Sequence, residues 1–107
     1  MTSSELPDGV SVETVYAVEI SYSPDAQAKR PAVRMEHLVR LARLLRDGTL
    51  VEAGGYLDWK SALLIFRASS EQEALDLIRD DVYLRSGVWL DDPVARPLGR
   101  VVLDRDR

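Results

Sequence analysis

The single histidine of the chain, His37, and two adjacent aspartates, Asp80 and Asp81, are the residues whose types most suggest chemistry. An imidazole has an unperturbed pKa of roughly 6.5, so it can take up or release a proton near neutral pH. A carboxylate bonded to one ring nitrogen would fix the tautomer and raise the basicity of the other. We take Asp81 as the candidate partner of His37 and Asp80 as its alternative. Such a base would suit an elimination or an isomerisation.

Four further residues could form a binding site around that pair. Arg34 precedes His37 by one helical turn and could hold an anionic group of a substrate. Tyr22 and Tyr83 could offer hydroxyls or ring faces to a small ligand. Gly54, which is followed by a second glycine, would allow the backbone to approach that ligand closely.

Each of these residues also has a simpler structural explanation. A helix histidine that caps a carbonyl or meets solvent fits the same spacing and is the commoner case. A surface arginine, packed tyrosines and a turn glycine need no ligand either. Trp59 and Trp89 are interpreted as core or dimer-interface residues rather than as platforms for a substrate. The residue types alone therefore leave the choice open.

Length and composition limit the classes of protein to consider. A chain of 107 residues is expected to form one domain that buries roughly two-thirds of its unfolded surface. It has no cysteine and a single histidine, which excludes disulfides, thiolate chemistry and a histidine-rich zinc site; we expect no metal and no cofactor. The net charge of −4 argues against nucleic-acid binding. No apolar run is long enough for a bilayer and no leader is evident, so we expect a cytoplasmic protein without membrane contact.

The hydrophobic pattern divides the chain into a flexible lead-in over residues 1–12 and one domain over residues 13–103. Alternating and helical periodicities define the elements of that domain. A glycine, Gly48, is expected to end the first helix, and Ser70 with Glu73 forms a capping-box pattern at the start of the second. The predicted elements are a strand Thr14–Tyr22, a helix Val33–Asp47 on which Leu38, Leu41, Ala42 and Leu45 recur, strands Leu50–Tyr56 and Lys60–Ala68, a helix from Ser70 to Asp80, and a fourth strand from Val88 that continues past Pro93 and Pro97 to Leu103.

This βαββαβ order predicts an α+β fold of the ferredoxin-like type, with an antiparallel sheet and two helices on one face. The first and third strands are central in that topology, and both are apolar on both faces. The face without helices would expose a large apolar patch unless something covered it. The simplest cover is a second copy, which gives a sheet-to-sheet homodimer, a dimeric α/β barrel.

The topology also predicts where the chemistry lies. The start of the first helix and the end of the second reach the same end of the sheet, so His37 and Asp81 should approach each other there. Tyr22, Gly54 and Trp89, the last at the entrance of strand four, should arrive at the same rim. Segments that are distant in sequence would thus form one small pocket.

The first helix is basic, with Arg40, Arg43 and Arg46 preceded by Lys29 and Arg30. A solvated outer face is the usual explanation, and a surface for a protein partner is an alternative. RNA-recognition modules share this topology but carry paired aromatic residues on the third strand. Here that strand is Ser61–Phe66 and lacks them, so RNA recognition is not predicted.

With these residues in view, the chain resembles the YciI-like (YCII-related) family. The matching pattern is Arg34-x-x-His37-Leu38, followed by Gly48, Leu50 and Gly54, then Glu73-Ala74, Asp81-x-Tyr83 and Gly87-Val88. It departs from the family where Val82 replaces a proline and Gly55 replaces another. The resemblance implies a ferredoxin-like dimer of the dimeric α+β barrel superfamily, with a histidine and an aspartate that fall on His37 and Asp81. It also implies a similarity to a dehydrochlorinase that acts on chlorinated hydroxyquinols without a cofactor.

Taken with the topology, the resemblance favours the His37–Asp81 pair as catalytic. The predicted function is a cofactor-free lyase or isomerase that transfers a proton on a small cyclic or aromatic molecule. The alternative is a dimer that binds a small ligand without turnover, or an accessory domain.

Overall fold

A computed structural model of the chain describes residues 5–104; Met1–Ser4 and residues 105–107 lie outside the described part. Four strands and three helices follow each other along the chain. None of the helices in the described part is long and apolar enough to cross a membrane. The elements are β1 (Val10–Ser21), α1 (Ala26–Asp47), β2 (Leu50–Gly55), β3 (Ser61–Phe66), α2 (Glu71–Arg79), α3 (Val82–Arg85) and β4 (Val94–Leu103).

The strands form one antiparallel sheet in the order β2-β3-β1-β4, so β1 and β3 are central as predicted. The fold is the predicted α+β, ferredoxin-like arrangement. Alternate residues of the central strands join the helices in one apolar core, which explains why the strands are apolar where they meet the helices. The core residues contributed by the two central strands are Val18, Ile20, Ala62, Leu64 and Phe66.

Helix α1 begins at Ala26, seven residues before the predicted start at Val33. Pro31 lies inside this added part of the helix, although proline lacks the N–H that the helical ladder uses. The end of α1 is as predicted. Gly48 adopts a left-handed conformation with φ of 84°, and its N–H donates to the carbonyl of Leu45.

The buried face of α1 is rotated from the predicted one. His37, Leu41 and Leu44 are buried, whereas Leu38 and Leu45 are exposed. His37 therefore lies in the middle of the buried face and not at its border. A polar side chain in that position requires partners in the interior.

The predicted cap of α2 is present. The Ser70 hydroxyl accepts a hydrogen bond from the N–H of Glu73 at 3.1 Å. The Glu73 carboxylate in turn accepts from the backbone N–H and the hydroxyl of Ser69, both at 3.0 Å. The one-turn helix α3, which follows immediately, was not predicted.

Two predicted boundaries are wrong, at the start of the last strand and at the start of the first. The fourth strand begins at Val94 and not at Val88. Val88 and Trp89 are buried in the segment that precedes the strand, where Trp89 pairs with Tyr22 in an isolated bridge. The predicted lead-in ends early, since β1 already pairs with β4 at Val10. Pro97 lies in β4, which is an edge strand, where a proline is tolerated.

Candidate active site

His37 and Asp81 are in contact in the interior of the protein. The Nδ1 atom of His37 lies 2.7 Å from Oδ1 of Asp81. The same oxygen accepts a hydrogen bond from the backbone N–H of Tyr83 at 2.9 Å. The other carboxylate oxygen accepts from Nη1 of Arg40 at 3.0 Å. Every one of these groups is buried or nearly so, and Asp81 itself has no exposed surface.

The local sequence explains why Asp81 occupies this position. Asp81 is the N-cap of α3, with an extended backbone and a side chain that accepts from the N–H two residues later. Aspartate is among the best residues for that role. The short connection between α2 and α3 places the cap against α1, one turn of which supplies His37 and Arg40. The same carboxylate thus caps a helix and binds the imidazole.

The surroundings keep the Asp81 carboxyl ionised. Burial by itself raises its pKa, but the hydrogen bonds from His37 and from the Tyr83 N–H, with the charges of His37 and Arg40, outweigh that effect. The net result is a pKa below the usual value of 3.8. When the ring is neutral, ionised Asp81 favours the tautomer with its proton on Nδ1, which leaves Nε2 of His37 as the basic nitrogen.

Aromatic rings fix the plane of the imidazole. The ring of Tyr83 stacks on that of His37 with centroids 3.6 Å apart and an angle of 8° between the planes. Trp89 meets both rings edge-on at 5.3 Å. These contacts and the bond to Asp81 together restrict the rotation of His37.

The imidazole lines a cavity of about 260 Å³ between α1 and the sheet. Buried apolar side chains such as Leu41, Ala62 and Leu64 form its floor. More exposed residues form its rim, among them Arg34 and Leu57. The full lining consists of Tyr22, Arg30, Arg34, His37, Leu38, Leu41, Ala53, Gly54, Gly55, Tyr56, Leu57, Trp59, Ala62, Leu64, Tyr83 and Trp89.

The six residues expected at the site from sequence are brought together by the fold. His37, Arg34, Tyr22, Gly54 and Tyr83 line the cavity, and Asp81 lies behind His37.

Asp80 does not compete for the imidazole. It is exposed at the C-cap of α2, and its carbonyl accepts a hydrogen bond from Arg85.

The glycine pair differs from its expected role. Strand register places Gly54 opposite Leu63, on the face away from the helices, and a methyl group built on Gly54 would meet nothing within 4 Å. Gly55 faces the core, where a Cβ would lie 2.2 Å from the hydroxyl oxygen of Tyr22. Gly54 contributes backbone to the cavity wall, whereas Gly55 is the glycine whose backbone lies close to the Tyr22 ring.

The basic pattern of α1 predicts a solvated face for two arginines that the structure places at the site, Arg30 and Arg40. Arg40 bonds Asp81, and its Nη2 also donates to the carbonyl of Leu77 at 2.6 Å. Arg30 lines the cavity. A usable signal was present in the spacing, because residues 30, 34, 37 and 41 follow one stripe of a helix. The interpretation of Arg40 as part of a partner surface is wrong.

Trp59 and Trp89 were expected in the core or at a dimer interface, and both line the cavity. Trp89 is also buried in the core. Trp59 contacts Tyr22, with ring centroids 5.3 Å apart. Among residues 5–104, no three histidine or acidic side chains converge as a metal site would require.

Comparison with known proteins relates the whole site-bearing region to one family. Residues 14–96 match the family described as the YCII-related domain. Two relatives, each described as fusaric acid biosynthesis protein 2, come from Gibberella fujikuroi and Gibberella moniliformis. Each is 32% identical over 84 residues, which cover 69% of this chain and 81% of the relative.

A solved structure shares the fold. It is 5-chloro-2-hydroxyhydroquinone dehydrochlorinase from Burkholderia phenoliruptrix in complex with 2,5-dihydroxybenzoquinone. The match has a TM-score of 0.63 at 18% sequence identity, and it covers 77% of this chain and 90% of the other. At that identity it bears on the fold alone. From the family match and the fungal relatives, the chain belongs to the YCII-related domain family.

Proposed function

We propose that this protein is a cofactor-free enzyme in which His37, oriented by Asp81, transfers a proton on a small cyclic or aromatic molecule. The observation that carries the proposal is the 2.7 Å contact between Nδ1 of His37 and Asp81, made by a ring that also lines a cavity. The contact supplies a base of defined tautomer, and the cavity supplies a place for the molecule on which it acts.

The proton transfer can be written without a cofactor. Nε2 of neutral His37 takes a proton from an acidic C–H or O–H of the bound molecule, and the imidazolium that results is stabilised by ionised Asp81. In an elimination, the electron pair of the broken C–H bond forms a double bond while a leaving group departs with its own pair. In an isomerisation, the imidazolium returns the proton to a different atom. His37 is the acid and the base in turn.

Cavity size and lining favour a molecule with a single ring. The volume of about 260 Å³ lies just below the range of pockets that hold drug-sized ligands. Tyr22, Trp59 and Trp89 offer flat apolar surfaces on its wall. The printed names of the similar proteins are consistent with such ligands, since one binds a dihydroxybenzoquinone and another belongs to the biosynthesis of fusaric acid.

The test measures proton transfer directly. Wild-type protein is incubated with 2,5-dihydroxybenzoquinone in D₂O, and loss of its ring C–H signal is followed by proton NMR. Chloride release from 5-chloro-2-hydroxyhydroquinone is followed in parallel. We expect wild type to accelerate one of these reactions over buffer. His37→Asn should lower the rate by about a hundredfold or more, which is the usual contribution of a general base.

Controls separate a catalytic role from a structural one. His37→Gln is the second substitution, and circular dichroism checks that both variants fold. Arg46→Gln, on the exposed end of α1, should retain the wild-type rate. An unchanged rate in folded His37 variants would refute the role of the imidazole. Tight binding of unaltered compound by wild type and variants alike would instead favour a ligand-binding protein.

We also propose that the protein forms a two-fold homodimer through the sheet face that carries no helix. Leu63 and Ile65 of β3 are only half-buried there, and Val94 and Leu98 of β4 are exposed. A second copy packed on this face would cover all four.

A further inference from the structure

The cavity of this acidic protein is lined by cations and by no acidic residue. Arg30, Arg34 and His37 are the basic groups in its lining, and neither aspartate nor glutamate is among the lining residues. Within residues 5–104, the guanidinium groups of Arg30 and Arg34 form no ion pair with a carboxylate. With a net charge of −4 for the chain, two arginines without acidic partners in one cavity require an explanation.

Arg30 is held in place by an unusual tryptophan. The guanidinium carbon of Arg30 lies 4.9 Å from the centroid of the Trp59 ring, a cation–π distance. Trp59 has a φ of 62°, the only positive φ outside glycine in the described chain. That conformation is rare and costly for a large side chain, and such strain is concentrated at functional sites.

The charges of both arginines reach the interior of the cavity. Burial raises the pKa of the Tyr83 hydroxyl, while Arg30, through its charge and a hydrogen bond, and Arg34, through its charge, act in the opposite direction. Tyr83 stacks directly on His37. A group bound against the imidazole is therefore within the electrostatic reach of the two guanidinium groups.

The spacing along α1 matches a ligand with one ring. Arg34 precedes His37 by three residues and Arg30 precedes it by seven, which is about 4.5 Å and about 10 Å of rise along the helix. A ring substituent could thus meet the guanidinium groups while the ring lies beside the imidazole.

We infer that Arg30 and Arg34, with Trp59 holding Arg30, form an anion subsite that selects single-ring molecules bearing a carboxylate or an ionised hydroxyl group. The inference rests on the proposed function, because it assigns the substrate class of that same cavity. The charged substituent binds at the two arginines, and the reacting edge of the ring faces His37. Planar guanidinium groups suit both kinds of anionic oxygen.

The test compares two ligands of the same shape, one of which carries a negative charge. Both tryptophans of the chain line the cavity, so quenching of tryptophan fluorescence reports binding there. Titration with 4-hydroxybenzoate and with 4-hydroxybenzamide measures the preference for the anion. We expect 4-hydroxybenzoate to bind about tenfold more tightly in wild type, the usual value of a hydrogen bond to a charged group. Arg30→Gln and Arg34→Gln should each reduce that preference.

The same fluorescence titration provides the control and the results that would contradict the inference. Arg46→Gln removes the same charge from the exposed end of α1 and should keep the full preference. Equal binding of acid and amide by wild type, binding of neither, or a preference that survives both substitutions would overturn the inference. A retained preference with no catalysed proton exchange would leave the subsite standing and refute the enzyme proposal instead.

Discussion

Arg40 connects the His37–Asp81 pair to the rest of the fold. One of its nitrogen atoms donates to Asp81 and another to the carbonyl of Leu77 in α2, so a single side chain joins α1 to the end of α2. Its side chain is 15% exposed, which makes the ion pair with fully buried Asp81 stronger than a surface pair. Arg40 is a positioning residue, since it contacts the carboxylate and not the cavity.

Replacing Arg40 with glutamine should destabilise the protein at neutral pH by about 2 kcal/mol, because a buried carboxylate oxygen and a carbonyl lose their donor. The pH dependence has a definite sign. The Asp81 pKa is lowered in the folded state, so the stability it contributes is present above 3.8 and is lost as the pH falls through the folded value. The difference in the free energy of urea unfolding between wild type and variant should therefore shrink as the pH falls below 3.8, and only the part due to the Leu77 carbonyl should remain.

Arg43→Gln is the matched control for that substitution. Arg43 lies one turn further along α1 and is exposed. Its loss should change the free energy of unfolding by less than about 0.5 kcal/mol. Equal effects of the two substitutions, or a difference between wild type and Arg40→Gln that does not shrink in acid, would contradict the ion pair.

At the scale of elements, the contact between β2 and the end of β1 shapes the cavity wall. The Tyr22 ring lies against Gly55, and a methyl group there would be 2.2 Å from the hydroxyl oxygen and 3.1 Å from Cζ. Tyr22 cannot retreat freely, because its other side packs on Trp59. The glycine is required by this close approach and not by a turn conformation, since its φ is not positive.

Gly55→Ala should therefore displace Tyr22 and Trp59, whereas Gly54→Ala should be tolerated, since nothing lies within 4 Å of the new methyl group. We expect a loss of about 1–3 kcal/mol in stability for Gly55→Ala, as in overpacked cores. Binding of 2,5-dihydroxybenzoquinone, measured by tryptophan fluorescence, should weaken in the same variant. Equal stability and equal ligand binding in Gly54→Ala and Gly55→Ala would show that Tyr22 and Trp59 adjust to the new methyl group without loss of stability.

The sequence pattern predicts helix ends well where neighbouring residues determine them. Gly48 and Ser70 are in the roles that their residue types favour. The first seven residues of α1 were not predicted, because the apolar repeat that defines the helix begins only at Val33, and Pro31 lies within them. The rotated face of α1 could not be predicted either. Placing His37 in the interior depends on Asp81, which is 44 residues away.

At the scale of the whole molecule, topology placed the segments of the site and could not place individual side chains. The antiparallel order was enough to bring the start of α1 and the end of α2 to one rim. Strand register decides whether Gly54 or Gly55 faces the cavity, and a slip of one residue reverses that choice. The contact between Arg30 and Trp59 joins a helix to the β2–β3 hairpin, and no local pattern predicts that pairing.

The sheet face without helices bears on the assembly of the whole molecule. Leu63 of β3 and Val94 of β4 flank Glu19 of β1 by register, so charged and apolar groups alternate across this face. Glu13 accepts hydrogen bonds from Arg67, which follows β3, and from Arg100 of β4. These contacts pair Glu13 within one protomer, and the apolar side chains of the face remain for the second copy that we propose.

Ile65→Asp should break the proposed dimer, because it places a charge at the centre of the apolar part of that face. Sedimentation velocity at micromolar concentration should give a dimer for wild type and a monomer for the variant. Val39→Asp is the control, since Val39 is 60% exposed on α1 and lies outside the face; it should leave the dimer intact. A wild-type monomer at that concentration, or a dimer that survives Ile65→Asp, would show that the apolar side chains of this sheet face are not covered in the way we propose.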